Sequence, residues 1–111
     1  MVFSALGNPI RQEIIMMHEP GEELSIKDIA DQFDLGRTTI VHHLTVLYNS
    51  GVLRMRKSGR QTIYSVAYDS IVEALRQMYL HIKDRLPEDV EMESILDIPG
   101  EEAERFYQSE Q

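Results

Sequence analysis

The stretch that decides the fold is Arg37-Thr38-Thr39-Ile40-Val41-His42-His43-Leu44-Thr45-Val46-Leu47-Tyr48-Asn49. Ile40, Leu44 and Leu47 recur at the i, i+4, i+7 spacing of one helical face, supplemented by Val41 or Tyr48. The same geometry turns Thr38, His42 and Thr45 to the opposite side. Asp34-Leu35-Gly36 precedes the helix as a short turn. Ser50-Gly51 ends it, with Gly51 suited to the left-handed position just past a helix. A polar N-terminal end (Arg37, Thr38, Thr39), continued by His42 and Thr45, is the surface a helix presents to base edges when it enters the major groove. Arg37 can read a guanine through two parallel hydrogen bonds or hold a phosphate, and the sequence leaves both roles open.

Upstream, Asn8-Pro9 reads as a helix start, with Asn8 as cap and Pro9 at the first helical position. Ile10, Ile14 and Met17 give helical spacing, and Pro20-Gly21 stops it. A short helical piece over Val2–Leu6 precedes it. Ser25 opens the next helix, and Asp28, three residues on, completes a capping box. Ile26, Ile29, Ala30 and Phe33 form its apolar face.

Downstream the period changes from about 3.6 to 2. Leu53-Arg54-Met55-Arg56 alternates apolar and basic residues, Ser58-Gly59-Arg60 is a tight turn, and Gln61–Ala67 returns rich in β-branched and aromatic residues. The pair predicts a hairpin. Asp69 or Ser70 then caps a long helix from Ser70 to Leu86, carrying Ile71, Val72, Leu75, Met78, Tyr79 and Ile82, and Pro87 closes it. The fold class expected is mainly α with a small β-hairpin, a winged helix-turn-helix in the order α-α-α-α-β-β-α. Residues 1–87 are expected to form the DNA-binding domain. Residues 88–111 are expected to be an acidic tail, either partly disordered or forming a short helix around Glu101–Gln108.

The formal net charge of −8 opposes contact with nucleic acid, yet it is unevenly spread. Residues 1–83 balance nine acidic against nine basic side chains, whereas residues 84–111 hold ten acids against Arg85 and Arg105. Arg54, Arg56, Lys57 and Arg60 crowd positive charge into the hairpin, where with Gln61 they form the expected DNA-contacting wing. Local clusters govern docking on a duplex more than the total does.

At this point the residues resemble the ArsR/SmtB family of bacterial winged-helix repressors. The resemblance is carried by Leu6-Gly7-Asn8-Pro9-Ile10-Arg11, Leu24–Ala30, Thr38–Leu47, Ser50-Gly51-Val52-Leu53 and Gly59–Tyr64. It implies a homodimer built on the first and last helices. Such a dimer binds a two-fold symmetric operator on double-stranded DNA and releases it on a signal from a small-molecule or protein effector.

Metal sensing, common among members, is not expected here. Where a thiolate site reads Glu-Leu-Cys-x-Cys-Asp, this chain has Glu23-Leu24-Ser25-Ile26-Lys27-Asp28, and it has no cysteine at all. In the final helix Asp69 is present, but Ile71 replaces the first histidine of the zinc pattern. His81 and Asp84 keep their mutual spacing yet lie one position early, which leaves too few ligands for zinc. His18 is expected to face the C-terminal dipole of its helix, and His43 the hinge between recognition helix and wing. No cofactor is expected. Neither a phosphate-cradling glycine loop nor a supported nucleophile suggests catalysis. No apolar run approaches the ~18 residues of a membrane span, and no secretory start is present, so the expected location is cytoplasmic. The competing reading is a winged-helix protein-interaction module or anti-repressor that does not touch an operator.

Overall fold

The computed structural model describes residues 1–87. Five helices and three strands are present: α1 (Val2–Leu6), α2 (Pro9–Met16), β1 (Leu24–Ser25), α3 (Ile26–Ala30), α4 (Arg37–Asn49), β2 (Leu53–Ser58), β3 (Gln61–Val66) and α5 (Tyr68–Ile82), followed by a 3-10 turn at Lys83–Arg85. Residues Met1–Leu75 form one compact unit, and a second begins at Arg76, within α5. The short helix expected around Glu101–Gln108 lies outside the described residues.

Local chemistry explains the helix starts. The Asn8 side chain accepts from the Ile10 and Arg11 amides at 2.9 and 3.2 Å, satisfying two donors that α2 cannot pair internally. Ser25 and Asp28 form the reciprocal capping box of α3: the Ser25 hydroxyl accepts from the Asp28 amide at 3.1 Å, and the Asp28 carboxylate accepts from the Ser25 amide at 3.0 Å. Those bonds hold the Asp28 carboxyl below its ordinary range.

The end of α4 is equally specific. Val52 N–H donates to the Leu47 carbonyl and Gly51 N–H to the Tyr48 carbonyl, each at 3.0 Å, which is the Schellman closure. Gly51 sits at φ 84°, and Leu47 and Val52 pack as the accompanying apolar pair, both fully buried. This closure aims the chain from α4 directly into β2.

The structure differs from the sequence reading in two places. The hairpin gains a third strand, giving the antiparallel order β1-β3-β2. Leu24 lies opposite Tyr64 and Ser25 opposite Ile63, so β3 is paired on both sides. A two-residue strand has no period to detect, and its partner is far along the chain. The last helix begins at Tyr68 rather than after an Asp69 or Ser70 cap, and it ends at Ile82, giving way to the 3-10 turn over Lys83–Arg85 instead of running to Leu86. The Ala67 carbonyl accepts from the Ser70 and Ile71 amides, while the Asp69 side chain is committed elsewhere.

One core unites Ala5, Ile14, Ile29, Ile40, Leu44, Leu47, Val52, Leu53, Tyr64 and Val66. His18 joins the buried set at the end of α2. Its Nδ1 donates to the Ile14 carbonyl at 2.7 Å, and its buried Nε2 has no partner among the described residues.

The left-handed Gly51 provides a test. An added Cβ meets nothing within 4 Å, so the cost of substitution comes from backbone conformation alone. Gly51→Ala should lower unfolding free energy by about 1–2 kcal/mol in urea denaturation, and Gly51→Asn by less. Equal losses for the two would contradict the assigned cap.

Candidate nucleic-acid interface

Helix α4 carries its functional face as a consequence of burying the opposite one. Ile40, Leu44 and Leu47 are each 0% exposed. Arg37, Thr38, Thr39, His42 and Thr45 are all exposed, so the geometry brings the five predicted recognition residues onto the open side of one helix. Thr45 Oγ1 donates to the Val41 carbonyl at 2.9 Å, leaving its lone pairs to accept from a ligand. Gly36 precedes the helix without a capping side chain.

The wing residues divide into two groups. Gly59 and Arg60 are the two central residues of the β2–β3 hairpin, with Ser58 opposite Gln61. Gly59 at φ 62° supplies the positive dihedral that such a turn demands at its first position. Arg60 and Gln61 stand exposed at this tip, and Lys57 donates to Thr62 Oγ1 across the hairpin at 2.8 Å. Arg54 and Arg56, two residues apart and therefore on one face of β2, are instead joined to acids. Arg54 holds both carboxylate oxygens of Asp69 at 2.7 Å. Arg56 is bonded to Glu23, just ahead of β1. The guanidinium of Arg54 holds the Asp69 carboxyl below its ordinary range.

Sequence reasoning missed these acidic partners. Arg54 and Asp69 are 15 residues apart, and Arg56 and Glu23 are 33 apart, separations that no local pattern encodes.

A further link runs behind the recognition helix. Arg11 on α2 donates through Nε to the Ala5 carbonyl at 2.5 Å and through a terminal nitrogen to the Ser4 carbonyl at 3.4 Å, gathering the end of α1. Its other terminal nitrogen lies 3.4 Å from His43 Nδ1 on α4. A guanidinium only donates, so Nδ1 must accept and His43 is neutral in this contact. Partial burial, then Arg11 and His42, push the His43 pKa below its ordinary value. The His42 and His43 rings lie 5.9 Å apart between centroids, tilted by 57°. Among the described residues no three His, Cys, Asp or Glu side chains gather in a metal-holding arrangement, and no helix is long and apolar enough to cross a membrane.

The His43 contact predicts a pH dependence. Because its folded pKa is depressed, the unfolded chain binds the proton more readily, and stability falls as pH drops below about 6.5. Between pH 7.5 and 5.5 the urea midpoint of the native protein should fall further than that of His43→Gln. Parallel profiles would remove the Arg11–His43 contact as the cause.

The comparisons with known proteins agree with this geometry. Residues 8–54 match the family model described as bacterial regulatory protein, arsR family. The chain is 29% identical over 83 residues to a cadmium resistance transcriptional regulatory protein CadC homolog of Staphylococcus aureus, covering 75% of this chain and 69% of that protein. It is 27% identical over 77 residues to the transcriptional repressor SdpR of Bacillus subtilis, covering 69% and 84%. Among solved structures, an ArsR-like transcriptional regulator from Rhodococcus sp. RHA1 superposes with a TM-score of 0.63 at 23% identity, covering 87% of this chain and 91% of that one. A helix-turn-helix with its polar face outward, the hairpin that follows it and this set of relatives together give the chain the winged helix-turn-helix fold and make it similar, over residues 8–54, to the bacterial regulatory proteins of the arsR family.

Proposed function

We propose that the protein is a repressor that binds a two-fold symmetric operator as a homodimer in the cytoplasm and leaves it on a signal that is neither thiol-based nor a metal. The observation that carries this reading is the outward set Arg37, Thr38, Thr39, His42 and Thr45, placed on α4 beside the exposed wing tip. In this reading α4 lies in the major groove with its first turn at the base edges, while Lys57, Arg60 and Gln61 reach the flanking backbone. Arg54 and Arg56 contribute to the wing's field and reach phosphate when their acidic partners give way.

The dimer is supported by the long last helix. None of the residues of α5 is buried, and Val72, Leu75 and Met78 are 61%, 53% and 42% exposed. In α1, Phe3 is exposed as well. Apolar side chains at helical spacing left open to water are what a partner helix covers. Two-fold symmetry of the protein would then require a two-fold symmetric operator.

A second reading is favoured by the internal pairing of Arg54 and Arg56, which reduces the free positive charge of the wing. In it the domain docks on another protein as an interaction module or anti-repressor, without operator contact.

A footprint on the DNA upstream of the protein's own gene separates the two. A protected pair of half-sites, bound with affinity that falls steeply as salt rises, is the expected result. No protection above non-specific binding at low salt favours the interaction module. Glu23→Gln frees Arg56 and should steepen the salt dependence by up to about 0.9 in slope per protomer, since one more phosphate is neutralised. For assembly, sedimentation velocity at micromolar concentration should show a dimer that Leu75→Glu converts to monomer. A native protein already monomeric there would remove the two-fold model.

A further inference from the structure

Between the first turn of α3, the start of α4 and the wing tip lies a cleft of about 310 Å³. Ser25, Lys27, Arg37, Arg60, Gln61 and Thr62 line it, so three cationic side chains from three separate elements border one concavity and no carboxylate does. Among the described residues Arg37 and Arg60 have no ion-pair or hydrogen-bond partner. Arg54 and Arg56, on the shaft of the same wing, are both paired. Lys27 is bonded to Asp31 at 2.9 Å across one helical turn, an exposed pair that an incoming anion can exchange.

Two unpartnered guanidiniums facing one cleft repel each other until an anion lies between them. A backbone phosphodiester carries its charge on two non-bridging oxygens, which two guanidinium forks on opposite sides can share. The Thr62 hydroxyl and the Gln61 amide supply further polar groups at the same rim.

We propose that this cleft seats one backbone phosphate of bound duplex DNA, held jointly by Arg37 and Arg60 with Lys27 at its edge. The inference rests on the DNA-binding reading and deepens it. Arg37 becomes a positioning contact that fixes the register of α4 in the groove, and base discrimination passes to Thr38, Thr39 and His42. The strand that separates the major groove under α4 from the flanking groove under the wing is then gripped at one point by both elements.

The test uses the full chain and the promoter fragment defined by footprinting, with fluorescence anisotropy across a sodium chloride series. If Arg37 and Arg60 share one phosphate, Arg37→Gln and Arg60→Gln each flatten the salt slope by at most about 0.9 per protomer. The double variant also loses about 0.9, whereas Arg54→Gln combined with Arg60→Gln shows additive losses. Arg37→Gln should weaken promoter and unrelated duplex by the same factor, as expected of a phosphate contact. A double-variant loss of about 1.8 would mean two separate phosphates and overturn the shared seat. A loss confined to the promoter sequence would make Arg37 a base reader and also overturn it. Inorganic phosphate added to the free protein is followed by amide chemical shifts. Shifts at Arg37, Arg60 and Thr62 together with independent, additive salt slopes would assign the cleft to a free anion and overturn the backbone seat. Failure of the native protein to bind any duplex sinks the DNA-binding reading itself, a result distinct from each of these.

Discussion

The structure depends on the burial of one stripe of α4. Ile40, Leu44 and Leu47 are fully enclosed, and α1, α2, α3 and β2 all pack against this helix. Burying three such side chains contributes several kcal/mol, at about 1.5–3 kcal/mol each. The orientation of the recognition surface is a by-product of that burial. A helix held by residues 40, 44 and 47 has no freedom to turn residues 38, 42 and 45 anywhere but outward, because successive residues are spaced by about 100°. Rotating the helix by one residue would expose Leu44 and bury His43 or Thr45, losing about 1.5–3 kcal/mol for Leu44 alone. The orientation of this exposed face is thus set by the core before any ligand arrives.

The same dependence explains what could be read directly from the chain. The limits of α4, the Asn8 cap, the Ser25–Asp28 box and the glycine after α4 are local devices, each contained within a few residues, and the sequence shows them plainly. So does the hairpin, whose turn requires Gly59. Thr38, His42 and Thr45 follow from the apolar period, and Arg37 and Thr39 from their place in the first turn of α4. The elements that escaped are those made by distant residues meeting. Strand β1 exists because Leu24 and Ser25 reach Tyr64 and Ile63, and two residues carry no alternation of their own. Asp69 looks like a helix cap in sequence, and only the folded chain brings it to Arg54. The Arg11–His43 contact likewise joins residues 32 apart.

Charge illustrates the difference between a residue's type and its availability. Four basic side chains crowd the hairpin in sequence, yet folding gives them different fates. Arg54 and Arg56 meet Asp69 and Glu23, Lys57 bonds across the strand pair, and Arg60 is left open at the tip. The consequence is mechanical as well as electrostatic. Arg54 ties β2 to the first turn of α5, and Arg56 ties it to the approach of β1, so the base of the wing is held on both sides while its tip is unencumbered.

These ties are exposed and exchangeable, and exposed ion pairs contribute little to stability. Their value lies in partner choice. A phosphate must displace a carboxylate to reach Arg54 or Arg56, whereas Arg37 and Arg60 offer their charge without competition. In a chain whose net charge is −8, an indiscriminately basic wing would still attract any polyanion. In the proposed complex, internal neutralisation of the shaft would restrict strong phosphate contact to the place where wing tip and recognition helix meet the duplex. Under that proposal, binding would be favoured only once α4 is seated in the groove, and the sequence-independent share of the affinity would fall relative to the part that reads bases.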